Sequence, residues 1–188
     1  MQNHRTPVPF PVAAVSSMSI PERHPHPGPV STPESPKIPV SVLVVIHSAD
    51  LQVLLLERAD PPGYWQSVTG SQAAGEDLAR AACREVEEET GIRVGSAAVG
   101  PGDLEDWRQQ HEFEIYPSRR HRYGPGVVTN TEHVFGLRVP REIGIVLSPC
   151  EHLRHRWLPW RDAVAACTSP TNAAAIRQLP LRATLRGA

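Results

Sequence analysis

The 188-residue sequence has few aromatic residues, almost no net charge and no long apolar run. Aromatic residues make up 5% of the chain, and 19 Lys and Arg against 20 Asp and Glu give a formal net charge of −1. A chain without excess positive charge has no general attraction for nucleic acid or an anionic membrane. We therefore expect neither as a partner, and any polyanion must be held by a local cluster of cations.

Cysteine pairs and membrane-spanning segments are also missing. Cys83, Cys150 and Cys167 are widely spaced and form no C-x-x-C pair, which argues against a disulfide framework or a zinc finger. Nine histidines are present, but none forms an H-x-x-x-H pair with a third ligand nearby, so we predict no zinc centre. No stretch approaches the ~18 apolar residues that span a bilayer. These absences predict a cytoplasmic protein.

Proline is abundant, and half of the 20 prolines precede residue 40. Residues 1–36 mix Pro, Ser, His and Gly without hydrophobic periodicity, so we predict a disordered tail, with a partner-binding segment as the alternative. The remainder suits one domain, residues 37–180, followed by a short C-terminal tail, residues 181–188.

Strands and helices alternate along this domain. Apolar or alternating runs predict strands at 40–46, 53–56, 92–94, 113–116 and 131–139. Helix formers predict helices at 76–90, 161–167 and 172–179, the first ending at Gly91. This order predicts an α/β (α+β) fold with a mixed central sheet.

The segment from Gly70 to Ile92 reads GSQAAGEDLARAACREVEEETGI. On a helix, Glu85, Glu88 and Glu89 occupy positions i, i+3 and i+4, so their carboxylates project over roughly one face. Like charges at this spacing repel, and a hard divalent cation such as Mg²⁺ would relieve the repulsion. Taken alone, such a run is more often a solvated acidic face than a metal site.

The segment resembles the signature of the Nudix hydrolases, G-x₅-E-x₇-R-E-U-x-E-E-x-G-U, where U is a bulky aliphatic residue. Every specified position is filled without a gap: Gly70, Glu76, Arg84, Glu85, Val86, Glu88, Glu89, Gly91 and Ile92. The resemblance implies the Nudix α/β/α sandwich, with this loop–helix–loop as a metal site. It also implies hydrolysis of a diphosphate bond by metal-activated water.

The resemblance also implies roles for single residues. Glu85, Glu88 and Glu89 would bind Mg²⁺, for which Mn²⁺ could substitute, and the Gly70 carbonyl would supply a further oxygen. Arg84 would hold the loop by pairing with Glu76 or Glu88.

A narrower resemblance extends from Lys37 to Leu179, to the bacterial dihydroneopterin triphosphate pyrophosphohydrolases of folate biosynthesis. The matching segments include Trp65–Ser71 (WQSVTGS), 121–123, 125–127, 130–132 and 151–153. It implies a small-molecule triphosphate substrate, cleaved to dihydroneopterin monophosphate and pyrophosphate. The substrate-binding positions of that group correspond to Lys37, Arg58, Thr69, Phe113, Glu114, Ile115, Tyr116 and Ser169.

These positions suit the implied substrate chemically, although other roles stay open. Lys37 and Arg58 supply cations for a triphosphate, and aromatic side chains offer flat surfaces for a pterin ring. Core packing is the alternative for Phe113 and Ile115. A turn or helix cap is the alternative for Ser169.

Glu151 lies far along the chain from the other carboxylates. Its EHL segment matches the position of a further metal-binding glutamate in the same group. We therefore predict that Glu151 is a metal ligand or the general base for the attacking water. Alone, it would be an ordinary surface or helix-start residue. The basic loop from Arg119 to Arg122 either closes over phosphates or is simply solvated.

Two other functions remain possible from the sequence. The chain could be a broader (deoxy)nucleoside triphosphate pyrophosphohydrolase, or a Nudix-fold sensor that binds a ligand without catalysis. Such sensors usually lose carboxylates of the signature, and here all are present. The identity of the general base, the number of metals, the attacked phosphorus and the oligomeric state stay open.

Overall fold

A computed structural model describes residues 36–186 of the chain. Residues 1–35, which make up nearly all of the predicted disordered tail, lie outside this range, as do His4, His24 and His26. The region from Ser35 onward forms one compact unit.

A mixed sheet of seven strands runs through this unit. The strand order is β3-β2-β1-β6-β5, with β4 also paired to β1 and β7 paired to β2. β1 and β6 are parallel and the other pairs are antiparallel. The strands are β1 (Val40–His47), β2 (Gln52–Arg58), β3 (Trp65–Gln66), β4 (Val68–Ser71), β5 (Leu104–Glu114), β6 (Thr129–Arg138) and β7 (His152–Pro159).

Helices cover both faces of the sheet. Helix α1 (Leu78–Thr90) packs on one face, while α2 (Trp160–Ala166) and α3 (Pro170–Arg186) pack on the other. β1 lies at the centre and is apolar on both sides: Val42 and Val44 face α1, and Leu43 and Val45 face α2 and α3. A strand buried on both faces reads as a continuous apolar run, which is why β1 is recognisable from sequence. The mixed α/β fold class is therefore confirmed.

Helix α1 has well-formed ends. The Asp77 carboxylate accepts a hydrogen bond from the Arg80 N–H at 2.8 Å, which caps the first turn. Gly91 adopts the left-handed conformation, with φ of 71°, and ends the helix. The helix thus begins two residues after the predicted start, and Glu76 lies in the preceding loop, where it binds Arg84.

The edge strand β5 was predicted only in part. It runs from Leu104 to Glu114, whereas the sequence indicated a strand at 113–116. The pairing with β6 shifts between Asp106 and Gln109, and Arg108 adopts a positive φ of 51° there. This bulge interrupts the alternation of apolar and polar residues from which a strand is recognised. The predicted strand at 92–94 is absent, although Ile92 is buried in the core below α1.

Helix α3 is longer than predicted. It extends from Pro170 to Arg186 and includes Pro180, so positions assigned to a C-terminal tail are helical. Proline removes a helical hydrogen bond, which is why the sequence indicated an end at Leu179. The Arg182 guanidinium donates to the Trp107 carbonyl at 2.8 Å and lies 5.6 Å from its ring centre, and these contacts hold the last turns on the sheet.

No helix between residues 36 and 186 is long and apolar enough to cross a membrane.

Gly136 on β6 allows Trp107 to lie flat on the sheet. An added Cβ at Gly136 would lie 2.5 Å from three atoms of the buried Trp107 ring. We expect Gly136→Ala to lower the free energy of unfolding by about 1–3 kcal/mol, because the ring cannot shift within a packed core without strain. Urea unfolding measures the change. Gly144→Ala, where an added Cβ meets nothing within 4 Å, is the control, and equal stability of the two variants would contradict the prediction.

Candidate active site

The guanidinium of Arg84 organises the loop before α1. It donates to both carboxylate oxygens of Glu76 at 3.0 Å, to Glu85 at 2.7 Å, to Glu88 at 3.1 Å and to the Ser71 carbonyl at 2.9 Å. The expected pairing of Arg84 with Glu76 or Glu88 is confirmed, and both pairings are present. The Arg84 bonds lower the pKa of Glu76, so this carboxylate stays ionised and holds the loop against the helix.

Glu85 lies between α1 and β4. A Cβ added to Gly70 would be only 1.7 Å from the Glu85 carboxyl carbon, so a glycine is required where the carboxylate crosses the strand. Burial raises the pKa of Glu85 to about 7, against the opposing effect of Arg84, and the nearby Glu89 and Glu88 raise it further. A cation bound beside Glu85 would therefore stabilise the ionised form of its carboxylate.

The other two carboxylates of the helix differ in exposure. Glu88 is the outermost, with 56% of its side chain exposed. Glu89 is buried, and its carboxylate lies 2.9 Å from His152 Nε2 and takes a backbone hydrogen bond from Thr69. Burial still raises the pKa of Glu89, with a contribution from Glu151. The three carboxylates thus form a graded series from solvent to core.

Glu151 joins the site through the pairing of β7 with β2. Its carbonyl accepts from the Ala59 N–H at 2.8 Å, and the next residue, His152, pairs with Arg58. Ligand atoms of Glu89, Glu151 and His152 all lie within 4.8 Å of one another. These three residues could hold a divalent cation together with Glu85, whose carboxylate lies against Gly70. Carboxylate oxygens are the ligands that Mg²⁺ or Mn²⁺ prefers.

The α2/α3 face of the sheet carries polar residues beside this cluster. Thr69 and Gly70 are consecutive on β4, so Gly70 faces Glu85 on the α1 side and Thr69 faces the α2/α3 side. The Thr69 hydroxyl accepts from the Gln66 amide at 3.1 Å. Lys37 reaches the same strand, where its ammonium donates to the Ser71 hydroxyl at 3.4 Å.

A second group of the predicted substrate residues surrounds Tyr64. The Tyr64 hydroxyl is hydrogen-bonded to Ser169, and the pKa of Tyr64, raised mainly by burial, is also affected by Tyr116 and Arg58. The Ser169 hydroxyl also accepts from the Asn172 N–H at 3.4 Å in the first turn of α3. Ser169 thus has the cap role considered as an alternative, and it contacts the proposed binding face as well.

The four residues from Phe113 to Tyr116 do not share one environment. Phe113 is 39% exposed and Tyr116 is largely exposed, so core packing does not account for either ring. Ile115 is buried, and its core-packing alternative holds. Glu114 is exposed and forms an ion pair with Arg120, which also donates to the Ile115 carbonyl at 3.0 Å. The basic loop is therefore attached to the end of β5.

Two residues of the site were missed by sequence reasoning. His152 was treated only as part of the EHL segment, yet its buried ring contacts Glu89. Its position next to Glu151 in the EHL segment was the available signal. Tyr64, in a turn-rich stretch, gave no signal.

Comparisons with known proteins agree with this geometry. The NUDIX domain model matches residues 37–179. The chain is 46% identical to "Dihydroneopterin triphosphate diphosphatase" of Escherichia coli K12 over 148 residues, 78% of this chain and 95% of the relative. It is 39% identical to the Haemophilus influenzae protein of the same name over 139 residues, 73% of this chain and 85% of the relative.

A solved structure gives the same result for the fold. The structure of the E. coli dihydroneopterin triphosphate pyrophosphohydrolase matches with a TM-score of 0.67 and 46% identity, covering 77% of this chain and 97% of that one.

The raised pKa of Glu85 predicts a specific effect on stability. Between the ordinary carboxyl pKa of 4.5 and about 7, the folded chain binds more protons at Glu85 than the unfolded chain does. Stability therefore falls as pH rises through this interval. In metal-free buffer, wild type should lose about 2 to 3 kcal/mol relative to Glu85→Gln between pH 5 and pH 8. Urea unfolding across this range measures the difference, and parallel pH curves would contradict it.

Proposed function

The chain belongs to the NUDIX domain family, and on this premise we propose that it is a dihydroneopterin triphosphate diphosphatase. The reaction would convert dihydroneopterin triphosphate and water to dihydroneopterin monophosphate and pyrophosphate. The observation that carries the proposal is the position of β4, which adjoins the carboxylate cluster on one face and Lys37 and Thr69 on the other. The two named relatives, similar over most of their length, support the choice of substrate.

We propose Mg²⁺ as the cofactor, with Mn²⁺ as a substitute. Glu85, Glu88, Glu89 and Glu151 would hold it, together with the Gly70 carbonyl. The donor set fits, because the pKa values of Glu85 and Glu89 are raised by burial and by neighbouring carboxylates, so a cation would stabilise their ionised forms. When bound, the metal would polarise phosphoryl oxygens and assist ionisation of water.

The other side chains of the site would have positioning or acid–base roles. Arg84 keeps the loop and helix in register, and His152 fixes the orientation of the Glu89 carboxylate. Glu151 is exposed, so its carboxylate would be accessible to water, as ligand or as general base. Burial of Glu85 and Glu89 excludes bulk water from the inner side of the cluster.

The predicted substrate-binding residues would hold the triphosphate and the pterin ring at the two ends of the substrate. Lys37 and Arg58 would neutralise the triphosphate, and Thr69 would offer its hydroxyl on the α2/α3 face while its N–H donates to Glu89. Phe113 and Tyr116, both exposed, would contact the pterin ring, with Glu114 and Ile115 between them and Ser169 opposite. The domain carrying these residues would be 37–180, and cytoplasmic location and the absence of nucleic-acid or membrane partners stay predictions.

A side-by-side assay tests the substrate. Purified full-length protein with Mg²⁺ is given dihydroneopterin triphosphate or each common deoxynucleoside triphosphate, and released pyrophosphate and orthophosphate are measured. We expect kcat/KM to be highest for dihydroneopterin triphosphate, with pyrophosphate as the product and loss of turnover in EDTA. Preference for deoxynucleotides would favour the broader pyrophosphohydrolase, and binding without pyrophosphate release would favour the sensor.

Glu89→Gln tests the carboxylate cluster. The amide keeps the volume and a hydrogen bond to His152 but removes the buried charge, so we expect kcat to fall about 10²-fold or more. Glu87→Gln is the matched control, because Glu87 lies on the same helix, is exposed and pairs with Arg93 at 2.8 Å. Steady-state kinetics with thermal unfolding of both variants measures the outcome, and equal activity of the two would contradict the role of Glu89.

A further inference from the structure

Glu132 on β6 is a buried carboxylate outside the metal cluster. Its residue is 5% exposed, and its Oε2 has no hydrogen-bond partner among residues 36–186. The carboxylate is hydrogen-bonded to Thr171, at the start of α3. None of the predicted catalytic or substrate-binding positions includes this residue.

Leaving an ionised oxygen buried without a donor is costly. An unpaired buried polar group forfeits its hydration, and the cost is larger for a charge than for a neutral group. Burial accordingly raises the pKa of Glu132, and the Thr171 hydroxyl only partly opposes this effect. A glutamine would lower this cost and an apolar residue would avoid it, so the carboxylate suits a site that later receives hydrogen-bond donors.

The register of the sheet places Glu132 on the proposed substrate side. In one row across the strands, His111 of β5 pairs with Glu132, Glu132 with Ser41 of β1, and Ser41 with Ser71 of β4. Paired residues share a face, so these side chains lie on the α2/α3 side.

Toward Asn130, the neighbours of Glu132 on this face are polar or aromatic, whereas Val134 on its other side belongs to the apolar core. Two residues before Glu132, Asn130 donates to the Ser41 hydroxyl at 2.7 Å and pairs with Phe113 on β5. The exposed Phe113 ring therefore lies on the same face, one step along the sheet from the free carboxylate oxygen.

The spacing of the strands suits one elongated ligand. β6 and β4 are separated by β1, which sets Glu132 roughly 10 Å from β4 at the usual strand spacing. Gly70 and the carboxylate of Glu85 lie at β4. Glu89 also accepts a hydrogen bond from the Thr69 N–H of β4, so the metal cluster touches this short strand. A ligand with its heterocycle on the α2/α3 face and its phosphates bent around β4 could reach Glu132 and the metal cluster at once.

We infer that Glu132 is a specificity-determining residue that accepts two hydrogen bonds from the amino–amide edge of the substrate's pteridine ring. This edge presents an N3–H and a 2-amino group side by side, and a carboxylate matches two parallel donors with its two oxygens. The inference rests on the proposed function. Because Oε2 is covered in this structure, the carboxylate turns about its terminal bond to meet the ring, and Phe113 stacks on the ring face.

The test uses two ligands that differ at one group. Calorimetric titration compares 7,8-dihydroneopterin with its analogue in which an oxo group replaces the 2-amino group. Wild type should bind dihydroneopterin about 10- to 100-fold more tightly, because the oxo group turns a donor into an acceptor facing a carboxylate. Glu132→Gln should weaken dihydroneopterin binding by a similar factor and remove most of this discrimination. Equal affinity of wild type for the two ligands would overturn the inference without any variant.

Glu112→Gln is the matched control. Glu112 lies on β5 next to His111 but on the opposite face, pairs with Thr131 and is exposed. It should bind both ligands as wild type does. Thermal unfolding verifies that Glu132→Gln is folded, and a purely structural role of Glu132 would weaken both ligands equally, which would also overturn the inference.

Kinetics separates this inference from the proposed function. With dihydroneopterin triphosphate, Glu132→Gln should raise KM about 10- to 100-fold with little change in kcat, because the contact is made equally before and during reaction. Turnover with an unchanged KM would overturn the role of Glu132 and leave the proposed function intact. Loss of 2-amino discrimination in the variant, in a protein that does not cleave the triphosphate, would overturn the proposed function and support the role of Glu132.

Discussion

Arg84 binds the carboxylates of Glu76, Glu85 and Glu88 and the Ser71 carbonyl, and the geometry of the site depends on these bonds. Glu85, Glu88 and Glu89 repel one another on α1, and the buried members of the group carry raised pKa values. The guanidinium offsets part of that repulsion while tying Glu76 and Ser71 of the loop to the helix. Arginine suits this position because its planar fork presents five donors in fixed directions. The compensation is incomplete, and the remaining charge makes the cluster receptive to a cation.

Strand β4 connects the chemistry with recognition. Because side chains alternate along a strand, Gly70 lies against Glu85 while Thr69 lies on the opposite face with Lys37 nearby. The glycine is a steric requirement, since any Cβ would occupy the place of the Glu85 carboxyl group. Two adjacent residues therefore serve two different surfaces. The short strand needs support from its neighbours, and β1 supplies it from the centre of the sheet.

Several of the buried ionisable groups belong to the proposed site. Glu89, His152 and Glu132 are all buried, as are Glu57 and His47. Glu89 is hydrogen-bonded to His152 Nε2, whereas Glu132 Oε2 and His152 Nδ1 have no partner within the described residues. Protein cores seldom keep such groups without a functional reason, since each costs stability. Glu89 and His152 thus belong to the metal cluster, and Glu132 belongs to the α2/α3 face, which also carries the exposed Phe113.

The sequence by itself determined the central strand, helix α1 and the identity of the carboxylates on that helix. These are local properties: a run of β-branched residues, an Asp77 cap, a Gly91 end and the spacing of Glu85, Glu88 and Glu89. Tertiary structure alone decided which surface each carboxylate meets, because burial and hydrogen bonding depend on strands distant in sequence. It also decided the extent of β5, where a bulge masks the alternation, and the extension of α3 past Pro180, where Arg182 binds Trp107. The partnership of Glu89 with His152, 63 residues apart, arises from long-range pairing that no local pattern records.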